Sequence, residues 1–156
     1  MISVDVILEN KLWKKKIKKS HIFFNELAKN FPKKYQFINK KVCLTVLLSD
    51  NKIIKKLNKK FRKKNKPTDI LSFPFEKKPF KKKTIYLGDV IISYDFMNKP
   101  KSLSNFQFKD KTLKIFIHGF LHLLNYDHIK LKDFKKMAKE EERIYNFVNK
   151  KIEKSI

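Results

Sequence analysis

Glycine, cysteine and arginine are all scarce in this chain. Its 156 residues include two glycines (Gly88 and Gly119), one cysteine (Cys43) and two arginines (Arg62 and Arg143). A single cysteine rules out an internal disulfide, so the fold must rest on a buried core. Cys43 itself is expected in a strand as a small buried hydrophobe. No apolar run reaches the roughly 18 residues that a membrane-spanning helix requires. The opening MISVDVILENK carries Asp5 and Glu9, where a secretion signal would have a basic segment followed by an apolar one. The expectation is a cytoplasmic protein with no membrane partner. Acids are few as well: 15 against 39 basic residues, a net charge of +24.

Two sources account for that charge. All but two of the basic residues are lysine, and Phe, Ile and Asn are also abundant, as when A/T-rich codons are favoured. The other source is a polyanionic partner, because lysines that neutralise phosphates release counterions. Net charge bears on solubility and non-specific binding rather than on fold.

Apolar material is plentiful, with 42% hydrophobic residues and 15 phenylalanines. A chain of this length forms one domain, residues 1–156, with a real core. Alternation predicts strands over 2–8, 41–49, 68–75 and 84–94. Pro74 bends or ends the third and places it at a sheet edge. Gly88 marks a bulge or a close backbone approach in the fourth. Helical spacing predicts a helix from Ser20, as N-cap, to Pro32, with Phe23, Phe24, Leu27, Ala28 and Phe31 inward. A second helix follows Asp50, with Ile53, Ile54, Leu57 and Phe61 on one face. A third starts between Ser104 and Lys111 and is the central buried helix. A fourth spans 131–150, with Phe134, Met137, Ala138, Ile144, Tyr145 and Val148 inward. Lys14 to Lys19 reads as a solvated connection, and Glu76 to Lys83 as turn-like. The fold class is α+β, a short mixed sheet packed with helices.

The stretch FIHGFLHLLNYDH, residues 116–128, holds three of the four histidines. His118 and His122 are four apart, so they share a helical face and can grip one metal ion. On a continuous helix His128 would lie about 120° round from His122 and about 9 Å further on. It joins them only if the helix ends between the two and the chain bends back. Asn125 tolerates the left-handed conformation that makes such a stop. The spacing His-x3-His-x5-His is that of the metzincin zinc peptidases, which implies a zincin-like site at the end of the central helix. Those peptidases carry a glutamate after the first histidine as general base; here the position is Gly119, which disfavours peptidase chemistry. With two glycines in all, both are expected where a side chain will not fit. Gly119 is expected to let another backbone or a substrate come close. Three histidines leave a fourth position open, which is the mark of catalytic rather than structural zinc.

Arginine in a lysine-biased chain points to planar, bidentate contact with phosphate or carboxylate. Arg143 has a local partner in Glu140, three residues before it. Arg62 has no acid within six residues on either side. It is a site candidate or a plain surface residue.

Three blocks together carry a family resemblance: LNKKFRKKNKPTDILSFPFE (57–76), LGDVIIS (87–93) and HGFLHLLNYDH (118–128). In order and spacing they resemble the signature blocks of the YbeY endoribonucleases, over most of the chain from about 41 to 128. One departure is Asn125, where the family usually has glycine. The resemblance implies a single-strand-specific, metal-dependent endoribonuclease acting in rRNA processing (16S rRNA 3′-end maturation) and ribosome quality control. It implies one Zn²⁺ per chain held by His118, His122 and His128, with Arg62 as the functionally important arginine. Single-stranded RNA, rRNA and the small ribosomal subunit are the implied partners, and DNA is not expected. Asp127 is open as either general base or hydrogen-bonding support for a ligand, and the attacking group is open as well. Phe61, Phe73 and Phe80 are candidates for base stacking. The rival reading is a non-catalytic RNA-binding ribosome-assembly factor with a structural zinc.

Overall fold

The computed structural model describes residues 1–78 and 80–155. Four strands, β1 (Ile2–Leu8), β2 (Lys41–Ser49), β3 (Ile70–Pro74) and β4 (Thr84–Ser93), form one sheet in the order β1-β2-β4-β3. β1, β2 and β4 are parallel, and β3 runs antiparallel to β4 at the edge. The mixed sheet and the edge position of the Pro74 strand are as expected. The helices are α1 (Trp13–Lys16), α2 (Ser20–Lys29), α3 (Asn51–Arg62), α4 (Tyr94–Met97), α5 (Asn105–Leu123) and α6 (Leu131–Ser155).

Most of the core lies on one face of the sheet. Val42, Leu44, Val46 and Leu48 alternate into it from β2 and are at most 2% exposed. α2 packs on β1, and α5 packs on β3 and β4. Phenylalanines join the helices, with Phe24 and Phe116 ring centroids 5.1 Å apart and Phe31 and Phe120 4.9 Å apart. α3 covers part of the other face, where Ile54 closes on Leu71 and Ile91. Asp50 caps α3 by accepting from the Ile53 N–H at 3.0 Å.

Several expectations need correcting. The run from Lys14 to Lys19 is not simply solvated. Trp13 and Ile17 are buried at either end of α1, and the Trp13 indole N–H donates to the Ser49 carbonyl at 2.9 Å. Ser20 is the first helical residue of α2 rather than its cap, and the helix closes at Lys29 before Pro32. Tyr94 opens α4 instead of ending the strand. Phe134 and Ala138 are exposed on α6, while Met137, Ile144 and Val148 are buried as expected. Cys43 is only half-buried, donating to Asp5 on the neighbouring strand at 3.3 Å. Its thiol pKa is pushed up to about 11, first by burial and then by Asp5. In the basic stretch 76–83, expected to be turn-like, Pro79 lies outside the described residues.

Candidate metal centre

The site is built on the end of α5. Ser104 starts this helix with a reciprocal cap: its hydroxyl accepts from the Gln107 N–H, and the Gln107 side chain accepts from the Ser104 N–H. α5 then runs 19 residues, with Phe108, Phe116, Phe120 and Leu123 fully buried. It ends as Asn125 implied. Asn125 has φ 68°, its N–H donates to the His122 carbonyl at 2.9 Å, and the Tyr126 N–H donates to the Leu121 carbonyl at 3.0 Å. These two bonds are the Schellman closure of a helix. The Asn125 side-chain oxygen also accepts from the Lys78 N–H at 3.0 Å, tying the turn to the 76–83 segment.

The reversal carries His128 back to the helix. One ligand atom from each of His118, His122 and His128 lies within 4.8 Å of the others. The Nε2 atoms of His118 and His122 are 3.1 Å apart. Nitrogens sharing a tetrahedral zinc at about 2.05 Å would be about 3.3 Å apart, so the donors fit an ion of that size. His118 and His122 are half-buried and His128 is exposed, so one side of the cluster opens to solvent.

Two of the rings are held from behind. Nδ1 of His122 lies 3.0 Å from the Tyr126 carbonyl, which can only accept, so this nitrogen carries the proton and Nε2 keeps its lone pair. Nδ1 of His118 lies 3.0 Å from Oε1 of Glu141 on α6. A carboxylate behind a ligating imidazole fixes its tautomer and raises its basicity. The pKa of His122 is lowered, by burial first and then by the neighbouring His118 and His128. The lowered value favours the neutral form that a metal needs.

Comparison with known proteins gives the family. The family described as Endoribonuclease YbeY matches residues 7–149. The chain belongs to the YbeY endoribonuclease family. A Pelagibacter ubique relative of that name is 66% identical over 152 residues, covering 97% of this chain and 99% of its own. One from Buchnera aphidicola is 40% identical over 133 residues, covering 79% of this chain and 85% of its own. A Thermotoga maritima protein determined in solution shares the fold at TM-score 0.57 and 24% identity, covering 99% of this chain and 93% of that one.

Arg62, like His128, is exposed, and its side chain makes no hydrogen bond or ion pair with a described residue. It ends α3 on the opposite face of the sheet from α5. Both helices nevertheless flank the same part of β3. The Phe61 ring meets Phe73 at 5.2 Å, the Ser72 hydroxyl donates to the Gly119 carbonyl at 3.2 Å, and Leu123 lies against Gly88, the partner of Pro74. Arg62 and the histidines thus lie on either side of the free β3 edge.

Asp127 accepts from the N–H of His128 at 2.7 Å, so its carboxylate shapes the loop that carries the ligand. Gly119 does not face an incoming backbone or substrate as expected. A Cβ there would lie 2.6 Å from Ile70 Cδ1 and 3.0 Å from Val90 Cγ1, so the glycine lets α5 press onto the sheet. Glu141 went unnoticed in the sequence, where it stands in the run Glu140, Glu141, Glu142 before Arg143 and only Glu140 is paired with that arginine. Successive helical residues point about 100° apart, so a single arginine cannot serve all three. Glu140 takes Arg143 at 3.1 Å, and Glu141 points to His118.

Proposed function

We propose that residues 1–156 form one metal-dependent endoribonuclease domain that cleaves single-stranded RNA. Its role would be 16S rRNA 3′-end maturation and ribosome quality control on the small subunit, in the cytoplasm. One observation carries the reading: three imidazoles converge on a point while one side of the cluster stays open. A structural site would be closed by a fourth protein ligand, which disfavours the rival reading of a non-catalytic assembly factor. His118, His122 and His128 would hold one Zn²⁺ in a zincin-like arrangement. Zinc at such a site supplies a water that ionises near pH 7 and a Lewis acid for a phosphoryl oxygen.

The chain's own residues do the rest. Glu141 and the Tyr126 carbonyl keep the Nδ1 protons of His118 and His122 in place, so both Nε2 lone pairs face the metal position. Arg62, with no side-chain partner among the described residues, would approach across the β3 edge and stabilise charge growing on the phosphate oxygens. His128, on the exposed turn, marks the side from which RNA enters.

The test joins metal analysis to cleavage. Protein purified without chelator should carry about one zinc per chain, as a three-histidine site predicts, and should cut single-stranded RNA. His122→Ala should lose both metal and cleavage while keeping the native circular dichroism spectrum. Unfolding of that variant would point to a structural metal. Zinc retained without cleavage of RNA or of small subunits would favour a binding factor.

A further inference from the structure

Two phenylalanines stand out from the face of the sheet that α3 only partly covers. Phe61, in the last turn of α3, is 57% exposed, and Phe75, just past β3, is 73% exposed. Neither ring is loosely held. Phe61 meets Phe73 edge to face, and Phe75 meets Tyr86 in the same way with centroids 5.7 Å apart. The Phe75 ring has no further ring or cation contact among the described residues, and Phe61 carries only the Lys60 ammonium over it. Phe73 and Phe75 are two residues apart in extended chain, which puts them on one face about 6.6 Å apart. Phe80, the remaining stacking candidate, packs against Phe37 at 6.0 Å and joins the core.

Charge picks out the occupant. No acid occurs between Asp50 and Asp69, and Lys59, Lys60, Lys63, Lys64 and Lys66 are all exposed there. The Lys60 ammonium lies 5.3 Å from the Phe61 ring centre. Two acids of this face lie further in and are engaged, the Tyr86 hydroxyl donating to Asp89 and Cys43 to Asp5, while Glu76 adjoins Phe75. The border along α3 and β3 is therefore aromatic and basic. Bare rings interleaved with lysines are how sequence-tolerant single-strand binding is built.

We propose that Phe61 and Phe75 form a base-stacking track for single-stranded RNA, outside the metal site. The lysines of 59–66 line its backbone, and the strand turns round the free β3 edge past Arg62 to the histidines. The track rests on the endoribonuclease reading for its substrate, and it commits to RNA rather than a protein partner.

The probe is a fluorescein-labelled 2′-O-methyl oligouridine, which reports binding by anisotropy. Phe61→Ala and Phe75→Ala should each weaken binding roughly 5- to 150-fold. The slope of log affinity against log salt should not change, because no cation is removed. Phe61→Leu and Phe75→Leu keep apolar area without a π-face and should lose as much affinity. Phe75→Trp should keep affinity, and its indole should be quenched on binding. Trp13 is fully buried and gives no surface signal. Melting temperatures should fall only slightly, since each ring is mostly exposed and gives up one edge-to-face contact.

Ala variants that bind like the wild type would overturn the track while leaving the nuclease reading intact. Leu variants that bind like the wild type would show the surface to be merely apolar and would also overturn it. Unchanged RNA affinity with lost co-sedimentation on small subunits would make this face a protein contact, again against the track. A wild type that neither binds nor cuts single-stranded RNA would sink both readings.

Discussion

α3 and α5 end alike and then diverge. Each closes on a non-glycine residue in the left-handed region, Lys63 at φ 58° and Asn125 at φ 68°, and both flank β3 from opposite faces. Beyond α5 the chain is tied down: the Tyr126 carbonyl holds one histidine, a carboxylate from α6 holds another, and the Asn125 side chain holds the turn. At the end of α3, Arg62 and Lys63 reach into solvent with no side-chain partner among the described residues. The difference follows from what each end would touch. A metal ion tolerates only tenths of an ångström in ligand distance, so its ligands must be fixed in advance. A phosphate chain needs charge nearby, and hydrated cations on flexible stems supply it.

The largest effect should come from the loose end. Arg62→Ala should lower cleavage by roughly 10²–10³-fold without changing metal content. Zinc lost along with activity would break the division between the two ends. At the fixed end, Glu141→Ala should weaken metal affinity about 10- to 100-fold, read by chelator competition. Glu142→Ala is the control and should do nothing. Equal effects of the two would mean that the carboxylate contact with His118 carries no weight.

The turn itself tests the role of Asn125. Asn125→Ala should cost about 1–2 kcal/mol in a denaturant melt, because alanine is strained at positive φ. It also loses the bond from Lys78. Asn125→Gly relieves the strain while losing the same bond, so it should lie closer to the wild type. The smallest effect concerns the buried anchor of α6. Burial alone would raise the Glu140 pKa, but the Tyr35 hydroxyl, Lys34 and Arg143 outweigh it and hold it below the usual value. The stability it contributes is complete above about pH 4.3, the unfolded value, and is lost as pH falls through the lower folded one. Glu140→Gln should therefore flatten the acid limb of the stability curve. An unchanged acid limb would remove Glu140 from that role.

Much of this was legible in the sequence. The four strands, the Asp50 cap, the Gly88 approach and the meeting of His118, His122 and His128 all followed from local rules of period, capping and left-handed tolerance. What escaped depends on contacts far apart in the chain. Trp13 is buried because its indole N–H finds the Ser49 carbonyl 36 residues away. Phe134 and Ala138 fit an inward stripe, but the face that α6 buries runs through Met137 and Glu140 instead. Glu141 supports a ligand 23 residues away, which no spacing rule reaches. Arg62 was picked out by its scarcity, and its place opposite the histidines came only with the β3 edge.

Gly119 bears on which chemistries can descend from this scaffold. Peptidases with the same histidine spacing carry a glutamate at that position. Here a side chain would start against Ile70 and Val90, pointing into the sheet. Gly119→Glu would wedge α5 off β3 before it could bring a base to the metal. One codon separates the two motifs on paper, yet a side chain there must first displace Ile70 and Val90 from the seam between α5 and the sheet.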